Sequence, residues 1–439
     1  MQESIERNRH GCNLNGALQT ITQINGVVPI LHSTPGCGIQ SYLSNKAGGS
    51  STGYVNGYSV PNTNVYEKQI IFGGTSRLRE QIKNTVKVIE GDLYVTISGC
   101  GAEMVGDDLI AMTQESIDQG EKAIYYKAPG FKGNEHVGYE GVVSAIISQL
   151  SCVTQVHTEK VKGLINIFGV LPKQDIYWQG NLNEIERILE NIGIKTNKLF
   201  GYGQGIEQWK DIASAELNVV VSKWGRSAAE KAKEKYGTPF IQFDDIGLGA
   251  DDVGHFVSEI AKKMGIETDK VEAYLENEKN KFTYALEQIT EYYFEYDFQK
   301  SVAIVGDEST VIRYSKFLAK YLGLEVEVAI ITDSVGEENR TEATASIKEF
   351  ANEVYFSKDS SGIDKIITNG NVELILGSGL ENRIAKKLDI SNYIVSYPAF
   401  GKVVIGKSDV GYTGAVTLLE DLSNLFISKE SNVPRNKVI

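Results

Sequence analysis

The chain has 439 residues, a formal net charge of −13 and a pI of about 5.1, with 41% hydrophobic and 23% charged residues. Its acidity argues against nucleic acid or an anionic membrane as the main partner, and no apolar run approaches the ~20 residues that a membrane span needs. The first residues carry no apolar signal region, so we expect a cytoplasmic protein of about two to four domains without a disulfide framework.

Strand-like apolar runs alternate with helical runs along nearly the whole chain. The predicted strands are residues 27–31, 93–97, 123–126, 163–168, 217–221, 301–305, 326–331, 353–356 and 372–376. The predicted helices are residues 77–89, 107–119, 139–149, 181–192, 228–235, 252–264, 268–296, 309–321 and 381–388. Residues 45–64, rich in Gly, Ser, Thr and Asn, are predicted to form a surface loop.

This alternation is typical of repeated βαβ units around parallel sheets. It predicts an α/β fold with three doubly wound, Rossmann-like domains around a central crevice. We expect an N-terminal domain at residues 1–158, a second domain with the long helix at 159–294, and a C-terminal domain at 295–439.

Three of the four cysteines, Cys12, Cys37 and Cys100, directly follow a glycine, and two of them come after strand-like runs. A thiol just past the carboxyl end of a strand lies where open α/β sheets bind ligands. Three soft thiolates gathered there suggest an iron–sulfur cluster more than a disulfide. Three is an odd number for a four-cornered cluster, so the missing ligand would come from a second chain, another atom type or a substrate.

The residues alone leave a second interpretation open. The spacing of these cysteines matches no local metal-binding pattern, so they could equally be core or turn residues. Cys152 lies in an apolar helical run and is expected to be a buried structural thiol.

Two aspartates follow Cys100. Asp107 is expected to cap the next helix, and Asp108 is expected to interact favourably with the positive end of that helix. His32 is expected to be a satisfied turn histidine and not a ligand.

Several segments resemble the nitrogenase component 1 family, and within it the beta-chain type of the molybdenum–iron protein. The most specific is Ser98-Gly-Cys-Gly-Ala-Glu-Met-Val-Gly-Asp-Asp-Leu109, which is similar to the family pattern Cys-x-Ala-Glu-(Val/Ile)-Ile-Gly-Asp-Asp-Leu. The other matching segments are His32-Ser-Thr-Pro-Gly-Cys37, Ile71-Phe-Gly-Gly74, Ile246-Gly-Leu-Gly-Ala-Asp-Asp252, Tyr397-Pro-Ala-Phe-Gly-Lys402 and Gly411-Tyr-Thr-Gly-Ala415. The resemblance therefore covers nearly the whole chain.

The resemblance implies that Cys12, Cys37 and Cys100 bind an iron–sulfur cluster at the interface with a homologous chain, which supplies three more thiolates. That chain would be an alpha-like subunit or a second copy of this one. The cluster would be a 4Fe–4S cubane or a P-cluster-like 8Fe–7S cluster, and the residues expected around it are Asn134, Gly36 and Gly99. Phe72 matches a surface phenylalanine where an ATP-dependent iron protein docks, although without the resemblance it would be interpreted as a core residue.

Two departures from the family bear on function. The beta chain has a serine near its cluster, whereas the matching segment here ends in Asn134, whose amide cannot readily become an anionic ligand. The alpha chain holds its metallocofactor with a mid-chain cysteine and a late histidine, whereas this chain has no cysteine after Cys152 and no histidine after His255.

The resemblance thus implies a beta-like subunit of a nitrogenase-like oxidoreductase. It would relay electrons from the iron protein, through the cluster, to an active site on the partner subunit. The alternative is a cofactor-assembly scaffold that holds a maturing metallocluster and transfers it.

Overall fold

The computed structural model describes residues 5–50, 60–333 and 337–431. Its strands are β1 (Val27–His32), β2 (Leu93–Ser98), β3 (Ala123–Lys127), β4 (Leu164–Phe168), β5 (Lys195–Asn197), β6 (Leu217–Val220), β7 (Phe240–Gln242), β8 (Ser301–Gly306), β9 (Glu325–Ile331), β10 (Ala351–Phe356), β11 (Leu374–Gly377) and β12 (Ser391–Ile394).

The helices, in chain order, lie mostly between consecutive strands, as βαβ units require. They are α1 (Asn13–Ile21), α2 (Pro35–Ala47), α3 (Glu67–Phe72), α4 (Thr75–Val88), α5 (Cys100–Val105), α6 (Leu109–Asp118), α7 (Glu135–Val153), α8 (Trp178–Asn191), α9 (Ile206–Lys210), α10 (Arg226–Tyr236), α11 (Ala250–Met264), α12 (Thr268–Gln288), α13 (Thr290–Glu295), α14 (Glu308–Leu322), α15 (Glu337–Ile347), α16 (Ser360–Asn369), α17 (Asn382–Leu388) and α18 (Gly411–Ser431). Among these described helices, none has both the length and the apolar composition that crossing a bilayer requires.

The strands form three sheets with the orders β1-β2-β3, β5-β4-β6-β7 and β10-β9-β8-β11-β12. Every pairing within these sheets is parallel. Strands such as β1 and β2 are buried along their whole length, as in parallel sheets covered on both faces, which is why they appear in the sequence as apolar runs. The predicted α/β class with three parallel sheets is confirmed.

The chain divides into two compact units. One comprises residues 10–178 and 194–243 and contains the first two sheets; the other comprises residues 179–193, the chain from 244 onward and the segment ending at Arg9, and contains the third sheet. The division into three domains with boundaries near 158 and 294 stays a prediction.

The first sheet brings the ends of its three strands to one level. His32 at the end of β1 pairs with Ser98 at the end of β2, and Ser98 pairs with Lys127 at the end of β3. The segments that follow these strands therefore leave the same edge of the sheet. Cys37, Cys100 and Asn134 all lie in such segments.

Helices α1 and α7 approach each other so closely that only glycine fits at two contact points. A Cβ on Gly16 would lie 1.8 Å from the carbonyl oxygen of Glu135, and one on Gly138 would lie 2.1 Å from the carbonyl oxygen of Asn13. All nine residues of α1 are buried. This packing sets the N-terminal ends of the two helices side by side, with Cys12 before α1 and Asn134 before α7.

Several local predictions were wrong or incomplete. Strands β5, β7 and β12 were missed because they are only three or four residues long and carry polar residues. The predicted loop 45–64 starts too early, since α2 continues to Ala47 and Asn45 is buried; residues 51–59 lie outside the described residues. The long helix is interrupted at Ile289, which separates α12 from α13. Cys152 is exposed and not buried, because it lies near the end of α7.

Candidate functional site

The three glycine-preceded cysteines all lie at the N-terminal ends of helices. Cys12 is the N-cap residue of α1, Cys37 is the third residue of α2, and Cys100 is the first residue of α5. The positive end of a helix favours a thiolate over a thiol. Each cysteine is half-buried, so its sulfur is screened from bulk water but not enclosed.

Gly130, just after β3, lies between two of these cysteines. A Cβ added to Gly130 would come within 2.9 Å of the Cβ of Cys12, 3.4 Å of the Cys12 Sγ and 3.3 Å of the Cys100 Sγ. The backbone N–H of Gly130 also donates to the Cys100 Sγ at 3.0 Å. The absence of a side chain at this position therefore leaves a cradle beside two sulfur atoms.

The third cysteine is held from the end of β1. The Ser33 hydroxyl donates to the Cys37 Sγ at 3.1 Å, and the Thr34 hydroxyl lies 3.5 Å from the same sulfur. The pKa of the Cys12 thiol is raised above its ordinary value, mainly by burial, and the backbone N–H groups of Asn15 and Leu14 offset this only in part. Ser33 also packs against Gly99, the residue before Cys100, so Cys37 and Cys100 are neighbours at this edge of the sheet.

The glycines before the three cysteines differ in how much space a side chain would have at each position. None of the three has a positive φ. A Cβ on Gly99 would lie 2.3 Å from the Ser33 Oγ, and one on Gly11 would lie 2.8 Å from Glu135 Oε2, whereas a Cβ on Gly36 would meet nothing within 4 Å. Close packing therefore explains why positions 99 and 11 are glycine, whereas nothing in the structure requires glycine at position 36.

Asn134 and Glu135 hold the Cys12 segment in place. Cys12 and Asn134 form an antiparallel bridge, and the Asn134 side-chain oxygen accepts from the Val137 N–H and so caps α7. The buried Glu135 carboxylate accepts the Gly11 N–H at 3.1 Å and lies 2.9 Å from His10 Nδ1. Sequence analysis missed Gly130, Glu135 and Ser33, which carry no pattern of their own; only their neighbours in space reveal them.

The prediction that Asp107 caps the helix after Cys100 was wrong. Asp108, not Asp107, is the N-cap of α6, and its carboxylate accepts from the Ala111 N–H at 3.0 Å. Asp107 is buried and lies 2.9 Å from His32 Nε2. The other ring nitrogen of His32 lies 2.9 Å from the Thr63 hydroxyl. His32 is a satisfied, buried histidine as predicted, but it ends strand β1 and does not lie in a turn.

Phe72 ends helix α3 with its side chain 80% exposed, so the interpretation as a core residue is wrong. Its neighbours Ile70 and Ile71 are also exposed, and so is Met104 on α5, the helix that starts at Cys100 and packs against α3. These four side chains are called the Phe72 surface below. An apolar surface of this kind is typical of a docking site.

Exposed apolar side chains also accompany the cysteine-bearing elements. Helix α2, which carries Cys37, exposes Ile39, Tyr42 and Leu43, and Phe131 is exposed directly after Gly130. Ile39, Tyr42 and Leu43 are spaced three and four residues apart, so they lie on one face of the helix.

The donor set fits an iron–sulfur cluster. Three thiols at helix N-terminal ends, hydrogen-bond donors directed at two of the sulfurs, and a glycine cradle between two cysteines are features that Fe–S ligation uses. Thiolates are the ligands that such clusters prefer. A fourth cysteine does not join them among the described residues, since Cys152 is a separate, exposed residue of α7.

Comparison with known proteins supports this interpretation. A family model described as nitrogenase component 1 type oxidoreductase matches residues 12–427. The nitrogenase molybdenum–iron protein beta chain of Methanococcus maripaludis is 22% identical over 95% of this chain and 93% of its own length.

Two relatives have other activities. A light-independent protochlorophyllide reductase subunit of Heliobacterium modesticaldum is 23% identical over 81% of this chain and 67% of its own length. The nitrogenase iron-molybdenum cofactor biosynthesis protein NifE of Clostridium pasteurianum is 25% identical over 87% of this chain and 81% of its own. Among solved structures, nitrogenase Cp1 at pH 6.5 matches with a TM-score of 0.82 at 19% identity, covering 100% of this chain and 98% of that one, which shows a shared fold.

Proposed function

The chain belongs to the nitrogenase component 1 type oxidoreductase family, and we propose that it is the beta-like subunit of a nitrogenase-like oxidoreductase. In this proposal Cys12, Cys37 and Cys100 hold an iron–sulfur cluster at the interface with a homologous subunit. When bound, the cluster supplies one-electron redox chemistry, relaying electrons from an ATP-dependent iron protein to an active site on the partner subunit.

The observation that carries the proposal is the convergence of three helix N-terminal cysteines on the edge of one sheet, with the Gly130 cradle between two of them. The backbone N–H on Cys100 and the hydroxyl on Cys37 would stabilise negative charge on the sulfurs and so raise the reduction potential. Three thiolates are an incomplete set, which supports a shared site.

The exposed side chains support the choice of partners. The apolar face of α2, formed by Ile39, Tyr42 and Leu43, adjoins the cysteine site and suits a homologous subunit, either alpha-like or a second copy. The Phe72 surface, which includes Met104 on the helix that starts at Cys100, suits the iron protein. An electron that arrives at this surface would reach Cys100 through a short path of covalent bonds and packed side chains.

The first test is metal content. The full chain, purified anaerobically alone and with any co-encoded homologue, should contain about four iron and four sulfide per dimer for a cubane, and about twice that for a P-cluster-like cluster. Cys37→Ala should lose the iron, the sulfide and the EPR signal that appears with dithionite. Cys152→Ala, which removes an exposed cysteine outside the site, should keep them.

Iron that persists in Cys37→Ala, or protein that stays colourless after reconstitution, would remove the basis for electron relay. In that case the three cysteines would be turn residues at helix ends.

Docking is tested at Phe72. Phe72→Ala should weaken binding of the co-encoded iron protein about tenfold, because exposed aromatic anchors contribute most to small docking surfaces. Iron content should stay unchanged. The matched control is Val88→Ala, which removes an equally exposed apolar side chain (82%) at the end of α4 and should bind normally. Equal weakening in both variants would show that the Phe72 surface is not the docking site.

The similarity to a cofactor biosynthesis protein favours a second candidate, a cofactor-assembly scaffold. A scaffold would release its metallocluster to an acceptor protein and would show no sustained turnover with the iron protein. Sustained reduction driven by ATP, without cluster transfer, would favour the oxidoreductase.

A further inference from the structure

A buried histidine–aspartate pair lies between the Phe72 surface and the cysteine site. The His32 side chain is fully buried, and the Asp107 side chain is 3% exposed. Burial lowers the pKa of His32 more than the neighbouring Asp107 raises it, which favours the neutral ring. A neutral ring facing a carboxylate carries its proton on Nε2, which leaves Nδ1 to accept the Thr63 hydroxyl.

On one side, this pair holds the turn that follows Phe72. The second oxygen of Asp107 accepts the Gly74 N–H at 2.7 Å and the Thr75 hydroxyl at 3.2 Å. A Cβ on Gly74 would lie 2.6 Å from Asp107 Oδ2 and 3.0 Å from the His32 ring, so the turn packs directly against the pair. The end of α3 is therefore fixed to His32 through Asp107.

On the other side, the pair adjoins two of the three cysteines. The His32 carbonyl accepts the N–H of Gly99, the residue before Cys100, at 3.0 Å. The next residue, Ser33, donates its hydroxyl to the Cys37 sulfur and fills the space where Gly99 would carry a Cβ. Displacement of His32 would thus be transmitted to both Cys37 and Cys100.

Cys12 is held by a different set of contacts. Its segment is tied to the start of α7 by the bond from the Gly11 N–H to Glu135 and by the bond from the Asn13 N–H to the Gly133 carbonyl. Neither bond involves His32 or Asp107. Cys12 therefore serves as an internal reference for the other two cysteines.

We infer that His32 and Asp107 are positioning residues that couple the Phe72 surface to Cys37 and Cys100, but not to Cys12. Through them, a protein that docks at Phe72 alters the geometry of two of the three cysteines. The identity of that protein rests on the proposed function, whereas the coupling is a property of this chain alone.

The coupling is tested first without any cluster. The full chain, freed of metal under anaerobic conditions, is treated with iodoacetamide, and the alkylation rate of each cysteine is followed by mass spectrometry. Asp107→Ala should increase the rates at Cys37 and Cys100 about tenfold, as loss of a buried hydrogen bond to a carboxylate implies, and leave Cys12 within about twofold. Asp107→Asn keeps an oxygen that accepts from Gly74, and its amide can donate to His32 Nε2 once the neutral ring carries its proton on Nδ1, where the Thr63 hydroxyl accepts it. This variant should restore most of the protection.

The matched control is Asp108→Ala. It removes the neighbouring carboxylate and the side-chain cap of α6, whose bond goes to the Ala111 N–H and not to His32. It should leave all three rates unchanged. If Asp107→Ala does not fold, Gly74→Ala replaces it, because its Cβ presses on both Asp107 and His32 and should produce the same selective pattern.

Equal acceleration at all three cysteines, or no change at Cys37 and Cys100, would overturn the inference. Because this assay needs neither cluster nor partner, its failure would leave the electron-relay proposal intact. Conversely, wild-type protein that binds no iron would contradict the electron-relay proposal, but the alkylation rates would still test the coupling.

A second measurement distinguishes two roles for His32 and Asp107: transmitting the docking of a protein to the cysteines, or only holding the cysteines in place. In the iron-loaded complex, binding of the iron protein should change the EPR spectrum of the wild type. Asp107→Ala, examined at iron-protein concentrations that saturate binding, should show little of this spectral change, because the link from the Gly74 turn to His32 is lost. An unaltered spectral response in that variant would contradict a coupling role.

Discussion

Gly130→Ala should weaken binding of the proposed iron–sulfur cluster about 10- to 100-fold, the range typical of changes next to metal ligands. The added Cβ would lie 2.9 Å from the Cβ of Cys12, closer than two carbon atoms tolerate, so that Cys12 or the Gly130 segment must move. The φ of Gly130 is not positive, so alanine meets no backbone strain there and the fold should be retained. The measurement is the rate of iron release to a chelator under anaerobic conditions.

Gly101→Ala is the control for this substitution. Gly101 adjoins Cys100 in α5, and its added Cβ would meet only Thr34 at an ordinary 3.5 Å. Iron release from this variant should match the wild type. If both variants release iron at the wild-type rate, the Gly130 cradle does not contribute to the site.

Arg9→Met should lower the free energy of unfolding by about 3–5 kcal/mol at pH 7, because it leaves a buried carboxylate without its cation. Arg9 forms two hydrogen bonds with Glu381, at 2.7 and 3.0 Å, and both side chains are essentially inaccessible to solvent. Ser378 donates to the same carboxylate from its N–H and its hydroxyl. Urea denaturation would measure the loss.

The effect should depend on pH. Burial by itself raises the pKa of Glu381, but Arg9 and the Ser378 donors outweigh it and hold the pKa below its ordinary value. A carboxyl group with a depressed pKa stabilises the fold above its unfolded pKa, and this stabilisation is lost as the pH falls through the folded pKa. The difference between wild type and Arg9→Met should therefore be greatest near neutral pH and shrink in acid.

Arg7→Met is the matched control, two residues away on the same segment. Arg7 pairs with Asp364, but its side chain is 46% exposed, and exposed pairs contribute about 0–1 kcal/mol. Equal losses in the two variants, or a loss in Arg9→Met that does not depend on pH, would contradict this account of the Arg9–Glu381 pair.

Most of the strands could be predicted because a parallel strand covered on both faces must be apolar along its whole length. Residues 27–31, 93–97 and 123–126 lie within a residue or two of the bounds of β1, β2 and β3. Helix α1 was missed because it has only nine residues, with Gly16 near its middle. Its polar residues Asn13, Asn15 and Gln19 are buried along with the apolar ones, which only the tertiary structure shows.

The glycine–cysteine pairs and the segment from Ser98 to Leu109 pointed to the family because such motifs are local in the chain. The same local signals failed at Cys152 and at the two aspartates. Cys152 follows an apolar run, yet the end of α7 turns it outward. Asp107 and Asp108 are neighbours of the same chemical type, and only the position of His32 and of the Gly74 turn decides which one is buried.

The sequence by itself thus determined the α/β class and the family and predicted the three cysteines as the site, since each depends on residue type and order over short distances. Only the tertiary structure decided that Gly130 lies between Cys12 and Cys100, that Glu135 holds Gly11, and that His32 and Asp107 lie between Phe72 and two of the cysteines. The physical reason is that these contacts join residues far apart in the chain. Sheet register and the close packing of α1 on α7 bring them together, and no local pattern of residues encodes such distances.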